Sequence, residues 1–433
     1  MSKIPFNKLL FLLPLLVFVA LCSQGQNPMQ FSLEEAREHA IEHNKNLVNA
    51  GLTVDEADLQ LRETIAQGLP QIDATIDYNN YFGSTATLGD MPAFEIEFNP
   101  TSNLGVSVSQ LIFSGSYIVG IQTARLYKQI TEASLEKTEL EIKAQVTQSY
   151  FLSLVAQKSQ DIIEANLENM KGLLEKTKAL VEAGVAEEVD YDQLSVQASM
   201  LEDASRAAGR QAEMALNMLR LQMGLEADVE IELTDQFKDL ISHTDFQATL
   251  GESFNFEKNL DYRQVALQTD IAEKQINLER SAYLPTLVGF YNYTEKLLKP
   301  EFDMTPNHVI GLNLNIPIFS SGARRARVNQ ARVNLKVAEN QKDLLRQQLL
   351  IQEKQLRYNL NNALEQYESQ ERNLQVARRV FDNINNKYSQ GMVSSLDLTT
   401  ANNNYLQAEN SYISSMMQLM EAQIELEKLL NEL

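Results

Sequence analysis

The residues able to do chemistry are few, and none is arranged to do it. His39 and His43 lie four apart, hence on one helix face, where two imidazoles can share a metal ion. With four histidines in the chain and no thiolate partner for the pair, they read as ordinary surface residues. No Gly-x-Ser-x-Gly turn presents a serine nucleophile, and no glycine-rich loop would cradle a phosphate. The sequence therefore predicts no enzyme, no cofactor and no metal centre. Arg324, Arg325 and Arg327 cluster just past Gly322, where they suit a solvated or interfacial band near lipid headgroups. Two aspartates stand out by position: Asp190 and Asp397 each lie six residues past a glycine, Gly184 and Gly391. Asp397 so placed suits a helix N-cap, accepting from the first free N–H groups.

Charge narrows the function classes further. The formal net charge is −21, which argues against nucleic acid as a partner and fits either an acidic, cation-admitting lumen or a solvated surface. The N-terminus carries Lys3 and Lys8 beside an apolar run over residues 9–21, too short to span a bilayer. Small residues Ser23 and Gly25 place signal cleavage after residue 25. The single cysteine, Cys22, raises lipidation as a rival, but Leu21 stands where a lipobox wants a small residue. Either route takes the protein out of the cytoplasm, and no disulfide can form within the mature chain. No later stretch offers the roughly 18 consecutive apolar residues of a transmembrane helix, so membrane entry would use β-strands.

The elements that position these residues come in two copies, about 207 to 215 residues apart. Asn46-Leu47 and Leu69-Pro70 are answered by Asn259-Leu260 and Leu284-Pro285. Residues 109–115 are answered by 315–322, and Gly184 with Asp190 by Gly391 with Asp397. Four landmarks in register mean duplication.

Within each copy the periodicity changes twice. Ser32 with Glu35 makes a capping box that starts a helix near Leu33. Pro70 and Pro285 end helices and begin extended chain. Ile72, Ala74, Ile76 and Tyr78 then alternate with polar residues, as do Leu104, Val106 and Val108. The second copy repeats this over 286–294 and with Ile310, Leu312, Leu314 and Ile316, with loops over 83–103 and 295–307. Strands of about ten residues with one apolar and one polar face suit a transmembrane barrel. Residues 323–388 contain no glycine or proline, which predicts roughly 100 Å of helix. Its near-heptad apolar seam calls for a neighbouring helix, and residues 117–183 match it in scale. Gly184 and Gly391 sit where each long helix must stop and turn back, with return helices over 193–223 and 400–430.

Four strands per chain cannot close a barrel, since about eight are needed to leave no open edge in lipid. Two copies would give eight strands and three would give twelve. Counting alone leaves three and four copies both open.

The ordered landmarks resemble the TolC-like outer-membrane efflux protein family over essentially the whole mature chain. They are residues 31–36 with Ala40 and Asn44, Gly68-Leu69-Pro70, residues 109–113, Ala215-Leu216-Asn217, Pro317-Ile318-Phe319, and residues 388–391 with Leu396-Asp397-Leu398. The resemblance implies a mixed α and β membrane protein: a homotrimer with a shared 12-stranded β-barrel and an antiparallel α-helical coiled-coil barrel crossing the periplasm. It implies an export duct serving a tripartite efflux or type I secretion system. Its partners there are a periplasmic adaptor protein, contacting the turns at Gly184 and Gly391, and an inner-membrane pump of RND or ABC type. It also implies a pore constriction at Asp397, with Thr400 where relatives carry a second acid. Asp190 and Tyr388 match residues that support the closed gate, while Val393 replaces the arginine of that network.

The expected organisation is a signal peptide over 1–25, a first repeat over 26–221 and a linker over 222–258. A second repeat over 259–424 and a tail over 425–433 complete it. The stretch 224–256 carries little pattern and is expected to pack around the tunnel's middle. The rival reading is a lipid-anchored coiled-coil scaffold or adhesin, which has no use for four alternating strands.

Overall fold

The computed structural model describes residues 28–87, 95–243, 246–299 and 305–433. The expected signal peptide and Cys22 lie outside the described residues. In chain order, β1 (Met29–Phe31) leads into α1 (Leu33–His43) and α2 (Lys45–Ala66). Strands β2 (Gln71–Asn79), β3 (Thr85–Thr87), β4 (Glu95–Glu97) and β5 (Thr101–Phe113) precede the long α3 (Gly115–Glu182) and its return helix α4 (Glu188–Met223). Then come β6 (Ile231–Leu233), α5 (Phe237–His243), α6 (Phe246–Gly251) and a 3₁₀ turn at Phe256–Lys258. The second copy supplies α7 (Leu260–Ser281), β7 (Thr286–Leu298), β8 (His308–Asn315), α8 (Ala323–Ser389) and α9 (Ser395–Leu430).

The chain forms two compact units. One gathers Val48–Thr138 and Phe254–Lys354 and contains an antiparallel sheet in the order β2-β5-β7-β8. Its register lines up Ile72, Val108, Tyr291 and Ile310 across all four strands on one face. Asp73, Ser107 and Asn292 line up on the other. The expected alternation thus carries across the sheet on the apolar face, while the other face is mixed, with Val288, Phe290 and Val309 on it. The apolar face is uncovered: Ile310 is 84% exposed and Leu312 70%. Strands β2 and β8 each have one edge unpaired among the described residues.

Two expected loops are shorter than their sequences suggested. Strands β3 and β4 pair inside the first, and β7 runs four residues beyond Thr294 into the second. In the same unit Lys128 of α3 bonds Asp58 of α2 at 2.7 Å. Lys137 and Glu136 of α3 meet Asp261 and Arg263 of α7 at 2.5 and 2.6 Å.

The other unit gathers the described residues up to Leu47 with those of Glu139–Ser253 and Gln355–Leu433, and holds the largest apolar core among the described residues. That core joins Phe31, Ala36 and Ala40 to Phe151, Leu219, Leu360, Leu419 and Leu426. The patternless stretch becomes part of it. Strand β6 pairs in parallel with β1, Met29 opposite Ile231, and Phe237 and Phe246 enter the core. Local sequence could not announce β6, because its partner lies about 200 residues away. Helix α9 continues through residue 425 to Leu430, with Leu426 and Leu429 buried.

One helix boundary has a local cause, and two glycines produce none. The capping box of Ser32 and Glu35 forms as expected. The helix then breaks at Asn44, whose side-chain N–H₂ donates to the Gln222 carbonyl at 2.7 Å. Its Oδ1 accepts from the Asn46 N–H at 2.9 Å and so caps α2. Gly120 and Gly172 leave α3 unbroken for 68 residues, their cost of about 1 kcal/mol each being small beside so many strong helix formers.

Tyr150 fastens this core. Its fully buried hydroxyl sits 2.9 Å from the Phe31 carbonyl and 3.0 Å from Asp235, which also accepts from the Leu33 N–H at 2.7 Å. Burial pushes the phenol pKa well above its usual value. Tyr150→Phe keeps the ring and strands these groups, so we predict a loss of about 1–3 kcal/mol in denaturant unfolding. An unchanged midpoint would show that the hydroxyl is not what ties β1 to α3.

Candidate functional site: the tips of two helical hairpins

Helices α3 and α4 fold back on each other about Gly184. Residues equidistant from that glycine meet: Met170 with Ala198, and Ala156 with Ala212. Helices α8 and α9 do the same about Gly391, stacking Phe381 on Tyr405 and Tyr367 on Tyr412. Both glycines adopt a φ of +71°, a left-handed conformation that a Cβ disfavours. Each turn closes with the same pair of bonds. The glycine N–H reaches the carbonyl three back, and the next residue's N–H reaches five back, Val185 to Leu180 and Met392 to Lys387.

The turn residues leave apolar side chains in the open at matching places. Val185 and Val189 are exposed past Gly184, as are Met392 and Leu396 past Gly391. The return helices begin at Glu188 and Ser395, five residues before the positions periodicity indicated, because each starts as soon as its turn is complete.

Asp397 is not the N-cap of α9. Ser394 is, donating its hydroxyl at 2.7 Å and its N–H at 3.0 Å to the Asp397 carboxylate, while the Asp397 N–H donates back to Ser394 Oγ. Asp397 is thus the third residue of a capping box, exposed, its carboxyl held below the ordinary carboxylate range first by the Ser394 hydroxyl and then by the Ser394 N–H. Thr400, one turn on, donates to the Leu396 carbonyl at 2.8 Å.

Asp190 and Tyr388 each bridge the two hairpins, but through separate bonds. Asp190 accepts from the Ser395 hydroxyl, and Tyr388 pairs with Thr177 at 3.0 Å. No bond joins Asp190 to Tyr388 among the described residues. Three further bridges follow along the hairpins: Gln197 to Asn403, Asn166 to Glu409 and Gln148 to Glu421. Ser394, Ser395, Thr177 and Glu409 escaped the sequence reading. For Ser394 a signal existed, since Ser-x-x-Asp is the same pattern that marked Ser32.

His39 and His43 stack at 4.2 Å, and His39 Nδ1 lies 3.1 Å from the Met223 carbonyl. Among the described residues, no three metal-binding side chains gather. No described helix is long and apolar enough to cross a membrane.

A sheet with an uncovered apolar face, whose strands run into two long helical hairpins, defines the channel-forming class of envelope protein. The chain belongs to the outer membrane efflux protein family, whose description matches residues 36–225 and 256–432. It is 23% identical over 424 residues to the outer membrane protein TolC of Vibrio cholerae, covering 95% of this chain and 94% of that one. It is 24% identical over 406 residues to TolC of Salmonella enteritidis, covering 88% and 74%. The solved structure of CusC overlays with a TM-score of 0.75 at 17% identity, covering 94% of this chain and 95% of that one. The outer-membrane channel OprN overlays at 0.74 and 16%, covering 92% and 90%. At such identities the overlays speak for the fold. Family membership makes this an outer-membrane efflux protein with no catalytic role.

The capping box yields a prediction. Ser394→Ala removes both side-chain bonds at the start of α9 and should cost about 1 kcal/mol of helix stability. Amide exchange in the first turn of α9 should quicken while that of α4 is unchanged; equal quickening in both would contradict a local cap.

Proposed function

We propose that three copies of this chain close a twelve-stranded barrel in the outer membrane and a helical tunnel beneath it. The observation that carries this is the four-stranded sheet with its apolar face exposed and an unpaired edge on either side. In hydrocarbon every strand edge needs a partner, so the sheet must be completed by other copies. Three copies give a wide, water-filled lumen where two would give a filled one.

In this reading the duct is the outer part of a tripartite efflux or type I secretion system. The turns at Gly184 and Gly391, with exposed Val185, Val189, Met392 and Leu396, meet a periplasmic adaptor that links the duct to an inner-membrane pump. Asp397, exposed on the second hairpin beside Thr400, forms the constriction. Within one chain its carboxyl is held ionised by Ser394. Three such carboxylates brought together would push the other way, raising one another's pKa, and would attract cations.

Purified protein in planar bilayers tests both levels. The wild type should conduct and be blocked by multivalent cations, and Asp397→Ala should weaken that block. Absence of conductance even in Asp397→Ala would sink the duct; conductance with an unaltered block would remove Asp397 from the constriction.

A further inference from the structure

The inner face of α9 carries a heptad stripe at Ser395, Asn402, Glu409, Met416 and Gln423, every member buried. Four of the five are polar, which is unusual at positions that normally hold a seam together by apolar packing. The stripe is divided. From Met416 onward α9 enters the large core with Leu419, Met420, Ile424 and Leu426. Toward the tip the stripe is polar, with Ser395, Asn402 and Glu409 4%, 2% and 6% exposed, and the buried apolar residues beside it, Leu398 and Ala401, lie outside the large core. The Asn402 Nδ2 and Thr399 Oγ1 atoms are buried there without a hydrogen-bond partner. The distal half of α9 therefore has less apolar packing behind it than the root.

Glu409 sits where the two halves meet. It borders a cavity of about 210 Å³ lined by Ile162, Asn166 and Asn169 of α3, Arg378 and Asp382 of α8, and Tyr405 of α9. Asn166 Nδ2 donates to its Oε2 at 3.4 Å, across from one hairpin to the other, and the Tyr405 hydroxyl donates as well. Among the described residues it has no salt bridge. The charged groups facing it are Lys158 of α3 and Arg378 and Asp382 of α8, with Tyr405 the titratable neighbour on α9. The equivalent residue of the first repeat is Glu202, on a return helix of the same 36-residue length, and it is exposed. The duplicated glutamate is buried in one copy only.

We propose that Glu409 is a positioning residue for the duct's gate, a buried carboxyl that fastens the second hairpin to the first when protonated and loosens it when ionised. This rests on the duct reading above. Taking a carboxylate out of water is costly unless it is fully paired, and one long bond from Asn166 and one from Tyr405 do not replace a salt bridge. Burial, the largest influence on it, lifts its proton affinity above the ordinary glutamate value, while Tyr405 and Asn166 partly offset that. The closed, packed arrangement thus holds the proton more tightly than one in which α9 has swung away into water. By linkage, acidification favours the closed arrangement; that stabilisation is complete below the ordinary pKa of 4.5 and is lost as pH rises through the raised one.

The test is spontaneous opening of the full-length protein in planar bilayers, recorded between about pH 7 and about pH 5. Wild type should open less often as pH falls. Glu409→Gln, neutral and of equal size, should lose that dependence and open roughly fivefold less often than wild type at neutral pH. The recordings are repeated on an Asp397→Asn background, so that carboxylates at the constriction cannot supply the titration. A Glu409→Gln profile that follows the wild type overturns the assignment while leaving the duct intact; a wild type that never conducts overturns the duct itself. Denaturant unfolding needs no channel: wild type should gain stability relative to Glu409→Gln as pH falls, and parallel curves overturn the assignment.

Discussion

Everything in this chain answers to four β-strands that cannot satisfy themselves. An antiparallel sheet with an apolar row such as Ile72, Val108, Tyr291 and Ile310 needs an apolar surround, and its outer strands need partners for their backbone N–H and C=O groups. A soluble fold would meet both needs by covering the sheet with helices. Here the helices are committed elsewhere, paired with each other in hairpins about Gly184 and Gly391. In the proposed duct, lipid would supply the surround and further copies of the chain the edges, which would make association and membrane insertion one requirement.

What the sequence revealed and what it concealed divide by distance along the chain. Strand alternation, the Ser32 cap, the prolines ending helices and the left-handed glycines are set by residues within a few positions of one another, and each could be placed by inspection. The β1–β6 pair, the Asp190–Ser395 bond and the Asn166–Glu409 bond join residues roughly 200 or more positions apart. No local pattern carries them. Asp397 is the intermediate case, since its capping role was local but was assigned to the wrong member of the Ser394–Asp397 pair. Burial of Glu409 was hidden in a different way: a glutamate in a polar, Asn-rich helix looks like a solvated residue until α3 and α8 close over it.

The gradient of packing along α9 gives the hairpins a mechanical character. Its root is locked in a core that includes Leu219, Leu360, Leu419 and Leu426, where displacement would expose much apolar surface. Its distal half lies outside that core, packing Leu398 and Ala401 and stacking Tyr405 on Phe381, with single, mostly neutral hydrogen bonds worth about 1 kcal/mol net each. A helix built this way pivots near the junction in preference to detaching whole.

Duplication supplies two equivalent tips, and divergence at one position makes them unequal. Ser395 of the second repeat corresponds to Glu188 of the first, as Asp397 corresponds to Asp190. Ser395 donates to Asp190 and so consumes that carboxylate between the hairpins. The reciprocal contact would set Glu188 against Asp397, two acids with no proton to share, and like charges do not pack. Asp397 is consequently left exposed with only its own cap, Ser394, to hold it. The same difference that binds one aspartate between the hairpins leaves the other exposed, which is the asymmetry that the proposed constriction at Asp397 would use.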